Sequence, residues 1–224
     1  MKEPRRLVIA IDGPSGAGKG TLARAVAARF GYEHIDTGAM YRAVAWKAVD
    51  ERVPLDDEER VAALAARATL EQSDGVVTID GRDVTRAIRT PEIDKAATAV
   101  ARLPRVRAIL ARRQRDLGAS GGIVMEGRDI GTVVFPDADV KVYLDASPEE
   151  RARRRAQDPA HTGGQKETLE GVQQDLQARD RSDSTRAVAP LAVAADAIYV
   201  DTTRMPLEDV VKRVTELVSE KLAE

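Results

Sequence analysis

The chain has 224 residues, with 35 lysines and arginines against 37 aspartates and glutamates, a formal net charge of −2 and no cysteine. That balance excludes an overall nucleic-acid footprint, the 3% aromatic content leaves no stacking platform for single strands, and disulfides and thiolate metal sites are excluded. No apolar run approaches the roughly 20 residues of a membrane span, and the charged start before Leu7 lacks the apolar core of a signal peptide, so a cytoplasmic α/β domain is expected.

The apolar run Leu7-Val8-Ile9-Ala10-Ile11 reads as a buried strand. It leads into Gly13-Pro14-Ser15-Gly16-Ala17-Gly18-Lys19-Gly20-Thr21, then into a helix from Leu22 to Phe30 that Gly31 stops. A strand, a glycine-rich turn and a helix form the context in which such a loop holds phosphate. The glycines let the backbone close around an anion, and the N–H groups at the helix start have no intrahelical acceptor. Lys19 adds a mobile positive charge. The usual pattern places Ser or Thr directly after the lysine. Here Gly20 intervenes and the hydroxyl belongs to Thr21, an ending similar to nucleoside-monophosphate kinases rather than to GTPases. Thr21 is therefore a candidate metal ligand that departs from the usual spacing.

Tyr32 to Ile35 reads as a second strand ending at Asp36-Thr37-Gly38-Ala39-Met40-Tyr41-Arg42, with a helix from about Tyr41 to Asp50. Residues 56–68 read as an alanine-rich helix. Asp74-Gly75 and Asp80-Gly81 flank the β-rich run Val76–Ile79, which predicts a small antiparallel insert placed as a flap over an acceptor. Residues 91–115 read as helical with a break at Pro104, and Thr98 and Arg107 lie on either side of it. Ile123–Met125 predicts a strand that runs into Glu126-Gly127-Arg128-Asp129-Ile130-Gly131-Thr132, and Val140–Leu144 predicts another. Charged groups at strand ends lie where open α/β sheets bind ligands.

Ser147-Pro148-Glu149-Glu150 combines an N-cap, a first-turn proline and a capping-box acid. The helix it opens carries Arg151, Arg153, Arg154 and Arg155. A polar loop at 158–166, with Pro159, Gly163 and Gly164, and a returning helix at about 167–181 predict a mobile lid. Ala197–Asp201 predicts the last strand. An amphipathic helix from Pro206 to Leu222 follows, with Leu207, Val210, Val211, Val214, Leu217 and Val218 on one face. Of the basic residues 27 are arginine, whose planar fork binds phosphate and carboxylate in a way lysine cannot reproduce. Phosphoryl transfer needs two substrates in line, charge neutralised on the moving group and water kept out, so spare arginines on an acceptor side and a lid suit it.

The runs 36–42 and 126–132, Arg186-Ala187-Val188-Ala189-Pro190-Leu191, Pro104-Arg105-Val106-Arg107 and Val133-Val134-Phe135-Pro136-Asp137 together resemble the bacterial cytidylate kinase family, over residues 7 to 201. The resemblance implies a P-loop NTPase-type parallel sheet core flanked by helices (about 1–55, 105–150 and 187–224), an acceptor-binding β insert (about 56–104) and a helical lid (about 151–186). It implies transfer of the γ-phosphoryl of ATP to CMP or dCMP in pyrimidine nucleotide metabolism, with Mg²⁺; the charge balance and the short apolar runs predict neither nucleic acid nor membrane as partner, and a monomer is expected because the active-site parts can all come from one chain. Gly13 to Thr21 and Arg154 would hold ATP, with Lys19 bridging the donor and transferred groups. Lys19, Arg128 and Arg186 would be the catalytic groups. Arg42, Arg128 and Arg186 would surround the acceptor phosphate, in a pocket that also includes Asp36 and Tyr41, with Thr37 near the acceptor ribose or phosphate. Thr98, which stands where the family has serine, Arg107 and Asp129 would read the base, and Arg179 and Asp183 would meet the sugar. His34, in a strand, and His161, in the lid loop, are not expected to be catalytic. A kinase of another nucleoside monophosphate or of shikimate would share the loop and lid and differ at Thr98, Arg107 and Asp129. A GTP-type switch would need an Asn-Lys-x-Asp run, and the sequence has none.

Overall fold

The computed structural model describes residues 6–158 and 168–224. The expected lid loop, with Pro159, His161, Gly163 and Gly164, lies outside them. Strand β1 (Val8–Asp12) runs one residue beyond the expected apolar stretch, because Asp12 stays in register with its neighbours. The phosphate loop follows and opens α1 (Lys19–Phe30), which Gly31 closes in the left-handed conformation. β2 (Glu33–Asp36) passes straight into α2 (Thr37–Asp50). The expected start near Tyr41 is four residues late. Asp36 accepts from the Ala39 N–H at 2.9 Å, and this N-cap lets the helix begin at the strand's last residue.

α3 (Glu58–Arg67) precedes a three-stranded antiparallel sheet of β3 (Leu70–Ser73), β4 (Val76–Ile79) and β5 (Arg82–Asp83). Asp74 and Gly75, like Asp80 and Gly81, all have positive φ, which is the turn geometry that matches strand twist in two-residue hairpins. α4 (Pro91–Val100) and α5 (Pro104–Gly118) flank the break before Pro104. β6 (Ile123–Gly127) leads through Arg128 and Asp129 into a π-helical turn, Ile130–Val134. β7 (Val140–Asp145), α6 (Pro148–Gln157), α7 (Leu169–Thr185), β8 (Ile198–Asp201) and α8 (Leu207–Ala223) complete the chain. Ser147 caps α6 as expected, but Glu150 does not reach back to it. Glu150 binds Arg153 and Arg154 instead, and the Ser147 N–H donates to Thr203.

The parallel sheet has the order β2-β6-β1-β7-β8. The chain leaves β1 to one side for β2 and later crosses to the other for β7, so a crevice opens at the C-terminal ends of β1 and β6. Alternation along β1 sends Ile9 and Ile11 to a core with Leu22, Val26, Val210, Val214 and Val218 of α1 and α8. Ala10 faces the other core, with Met40, Leu64, Leu110, Met125 and Ile130. That second core joins α3 and α4 to α2, α5 and the sheet. Leu207, the first residue of α8, is 46% exposed, and the buried face of the helix is carried by Val210, Val214 and Val218.

Candidate functional site

The phosphate loop folds tightly against the sheet. Gly13 has φ 145°, and a Cβ there would lie 1.9 Å from the Leu144 carbonyl oxygen, so only glycine fits. Gly18, also left-handed, starts α1 and leaves the helix N–H groups facing the crevice. Lys19 is buried and its Nζ donates to the Pro14 carbonyl at 2.7 Å. Burial, reinforced by the charge of Arg128, pushes its amino group down to about 7. Gly20 lies beside Glu126: a Cβ on it would be 3.0 Å from Glu126 Oε1, which in turn meets His34 Nε2 at 2.9 Å. The displaced hydroxyl of Thr21 thus goes with a carboxylate occupying the space beside position 20.

Lys19, Arg42, Arg89, Arg128, Arg155 and Arg179 line one cavity of about 350 Å³ together with the loop residues Ser15, Gly16, Gly18, Gly20 and Thr21. Asp36 lies on its wall and binds Arg42 Nη2 at 2.8 Å. Burial works against the charge on Asp36, but Arg42 and the Ala39 N–H outweigh it and hold the carboxyl down to about 2. The Nε donors of Arg42 and Arg89 are buried with no hydrogen-bond partner. Buried orphan donors are costly, so two of them on arginines that line a crevice rich in cations fit an anionic ligand. Arg179 is lowered to about 10 by burial and by the nearby Arg128 charge, as expected where cations crowd together.

A second group of expected residues forms a buried chain. Arg107 Nη2 lies 2.6 Å from Asp129 Oδ2, and Arg186 Nη2 lies 3.3 Å from Asp129 Oδ1. Arg186 Nη1 lies 3.7 Å from Asp183, whose Oδ2 accepts from Arg128 Nε at 2.8 Å. The guanidinium of Arg107 sits 5.5 Å from the Tyr41 ring centroid, and its Nε is also buried without a partner. Burial pushes the Tyr41 hydroxyl up to about 12, so it remains a neutral donor. Thr37 donates to the Glu126 carbonyl at 2.7 Å. Thr98 is not joined to Arg107 or Asp129: its hydroxyl donates to the Asp94 carbonyl at 2.9 Å, and it lines a neighbouring cavity of about 260 Å³ with Arg179. Arg154 lines both the cation-rich cavity and a third one, with Leu144, Thr202, Met205 and Leu207, and donates to the Ala17 and Thr202 carbonyls of the wall between them.

This geometry can hold a chain of phosphates between the loop and the acceptor-side arginines. A family model for cytidylate kinase matches residues 9–220. The chain belongs to the cytidylate kinase family. It is similar to the cytidylate kinase of Desulfitobacterium hafniense, with 48% identity over 221 residues that cover 97% of this chain and 95% of that one. The cytidylate kinase of Pelotomaculum thermopropionicum is 49% identical over 216 residues, covering 94% and 95%. Among solved structures, a shikimate kinase from Bacteroides thetaiotaomicron shares the fold at a TM-score of 0.51 with 14% identity, over 96% of this chain and 99% of that one.

For a cytidylate kinase family member, the residues missed in the sequence are informative. Arg89 lines the cavity yet sits in no recognisable run, and Arg155 was legible only as one of the lid-helix arginines, not as a cavity residue. Asp12 accepts from the Ile130 and Gly131 N–H groups at 2.8 and 2.7 Å, tying the start of the phosphate loop to the turn after Asp129. Burial pushes its carboxyl up to about 6, against the pull of those bonds. The signal available was a carboxylate at the end of an apolar strand. Gln72 exchanges two hydrogen bonds with the Asp36 backbone and so pins the antiparallel insert to the end of β2.

Proposed function

We propose that this chain transfers the γ-phosphoryl group of ATP to CMP or dCMP, giving ADP and CDP or dCDP. The observation that carries the reading is the convergence of Lys19 with Arg42, Arg89, Arg128 and Arg179 on one crevice, with two buried guanidinium Nε donors unpaired. The acceptor oxygen is already anionic near neutral pH, so no strong base is needed; the residues must align two phosphates and neutralise charge between them. Lys19, at the helix start, would bridge donor and transferred groups. Arg42, Arg89 and Arg128 would hold the acceptor phosphate.

The base would lie along the Arg107–Asp129–Arg186 chain. Cytosine offers an amino donor at N4 and acceptors at N3 and O2; Asp129 accepts from the former and the orphan Arg107 Nε donates to the latter. Uracil reverses this pattern and would leave buried groups unpaired, which can reject an analogue by orders of magnitude. Arg179 and Asp183 would meet the sugar, and the cavity bounded by Arg154, Met205 and Leu207 would receive the donor nucleoside.

Mg²⁺ prefers oxygen ligands and keeps several waters. Among the described residues no cluster of three or more histidines or carboxylates could hold a metal by itself. Thr21 and Glu126, both on the crevice wall, supply a hydroxyl and a carboxylate that fit an ion held mainly by nucleotide phosphates and water. When bound, it would spread charge from the β- and γ-phosphate oxygens. The protein is expected to work as a monomer, since every group named comes from one chain. ADP release, coupled to a colour reaction, should be fast with CMP and dCMP and slow with UMP. Equal rates with AMP would sink the acceptor assignment.

A further inference from the structure

One carboxylate behind the phosphate cavity meets two arginines of the α6–α7 hairpin. Asp94 lies in the first turn of α4. Its Oδ2 binds Arg155 Nη2 at the end of α6, and Arg179 Nη1 of α7 lies 3.5 Å from its Oδ1. Side-chain exposure is 14% for Asp94, 19% for Arg155 and 18% for Arg179, so water screens the group poorly. Both arginines line the cavity that holds Lys19, Arg42 and Arg128, whereas Asp94 lines only the neighbouring cavity behind them. The carboxylate therefore touches the arginines without reaching the phosphate site. A further hydrogen bond, Arg102 Nη1 to Ser182 at 3.3 Å, joins the same two regions.

Arginine carries a rigid fork on a long flexible stem, and a charge-assisted bond to carboxylate sets the direction of that fork. Asp94 is the carboxylate that both arginines share; with Asp158 near Arg155 and Asp183 near Arg179, it offsets their repulsion by the neighbouring cations. We propose that Asp94 is a positioning residue for phosphoryl transfer: it holds Arg155 and Arg179 side by side at the cavity wall before the nucleotides arrive, Arg179 where the acceptor sugar would lie. This rests on the reading of that cavity as the transfer site.

The test is a double-mutant cycle in steady-state kinetics with ATP and CMP, using the parent, Asp94→Asn, Asp94→Glu, Arg155→Lys and Asp94→Asn/Arg155→Lys, each with a thermal melt. A parent that releases no CMP-dependent ADP defeats the kinase reading itself. In an active parent, Asp94→Asn should lower kcat about 10–100-fold, the scale of loss from a roughly 1 Å misplacement, with the KM for ATP changed less than about threefold. Asp94→Glu should recover most of the rate. In the Arg155→Lys background the Asp94→Asn effect should shrink to under about threefold, because the pair is already disturbed. Equal factors in both backgrounds, or a loss matched by the unfolded fraction in the melt, would overturn the proposal. If Asp94→Asn does not fold, Asp94→Glu and its combination with Arg155→Lys complete the same cycle, and additive effects overturn it.

Discussion

Replacing Asp129 with asparagine removes one charge from the middle of a buried chain while keeping its shape. In the native protein Asp129 lies 2.6 Å from Arg107 and 3.3 Å from Arg186, which are 4% and 5% exposed. The amide keeps one accepting oxygen and turns an NH₂ toward the other guanidinium. Two arginines then share a dry site with no charge between them, although Arg186 retains Asp183 at 3.7 Å. Removing one partner of a buried pair costs about 3–5 kcal/mol, and the retained amide bond places this case near the lower end. A loss of about 3 kcal/mol lowers Tm by roughly 6–12 °C in a chain of this size. Urea unfolding and calorimetry measure the stability, and titration calorimetry measures each nucleotide. CMP affinity should fall at least about tenfold, or about 1.4 kcal/mol, with ATP affinity nearly unchanged. An unfolding free energy within about 0.5 kcal/mol of the parent, or equal loss of both affinities, would refute the assignment of Asp129 as a buried, base-reading carboxylate.

Lys19→Met should cut turnover by at least about 10²–10³-fold, the size expected when a group stabilising transition-state charge is lost. Its stability should follow pH differently from the parent. The native Lys19 amino group sits near 7 against 10.5 in the unfolded chain, so between those values the unfolded state binds the extra proton and parental stability rises with pH. Urea midpoints measured from pH 6 to 10 should show that rise in the parent and not in Lys19→Met. At pH 8, ATP binding should be accompanied by uptake of a proton, read from calorimetry in buffers of different ionisation heat; no buffer dependence would argue against a depressed Lys19. Asp36→Ala should remove about 1 kcal/mol of helix capping and also release Arg42, raising the KM for CMP, while an unchanged KM would separate Asp36 from the site. Because Asp36 is held near 2 when folded, its contribution is present above its unfolded value of 3.8 and is lost as pH falls toward 2, which acid unfolding of parent and variant should show. Gly13→Ala should destabilise by more than about 4 kcal/mol, since the new Cβ would meet the Leu144 carbonyl at 1.9 Å; a parental melting curve would contradict that.

The phosphate loop was legible because its work is done by adjacent residues: glycines, helix N–H groups and Lys19 need no distant partner to be understood. The hairpins were legible for the same reason, since Asp-Gly pairs determine their turns locally. Helix boundaries failed where one residue had two roles. Asp36 was read as an acceptor-site residue, and its capping bond to Ala39 moved the start of α2 to Thr37. Glu150 matched a capping box but found stronger partners in Arg153 and Arg154.

By itself, the sequence determined a phosphate-binding α/β chain and, through several spaced runs, its resemblance to one kinase family. Tertiary structure alone decided that Arg89 and Arg155 join Arg42, Arg128 and Arg179 at the crevice. Thr98 was placed by resemblance with Arg107 and Asp129, but the fold sets its hydroxyl on the Asp94 carbonyl and brings Arg89 and Arg155 to the cavity instead. The physical reason lies in the order of the sheet. Parallel neighbours β2, β6 and β1 bring Asp36, Gly127 and Asp12 to one edge, although long stretches of chain separate them. Periodicity and capping act over a few residues and can be read along the chain, whereas a shared electrostatic site depends on strand order and helix packing.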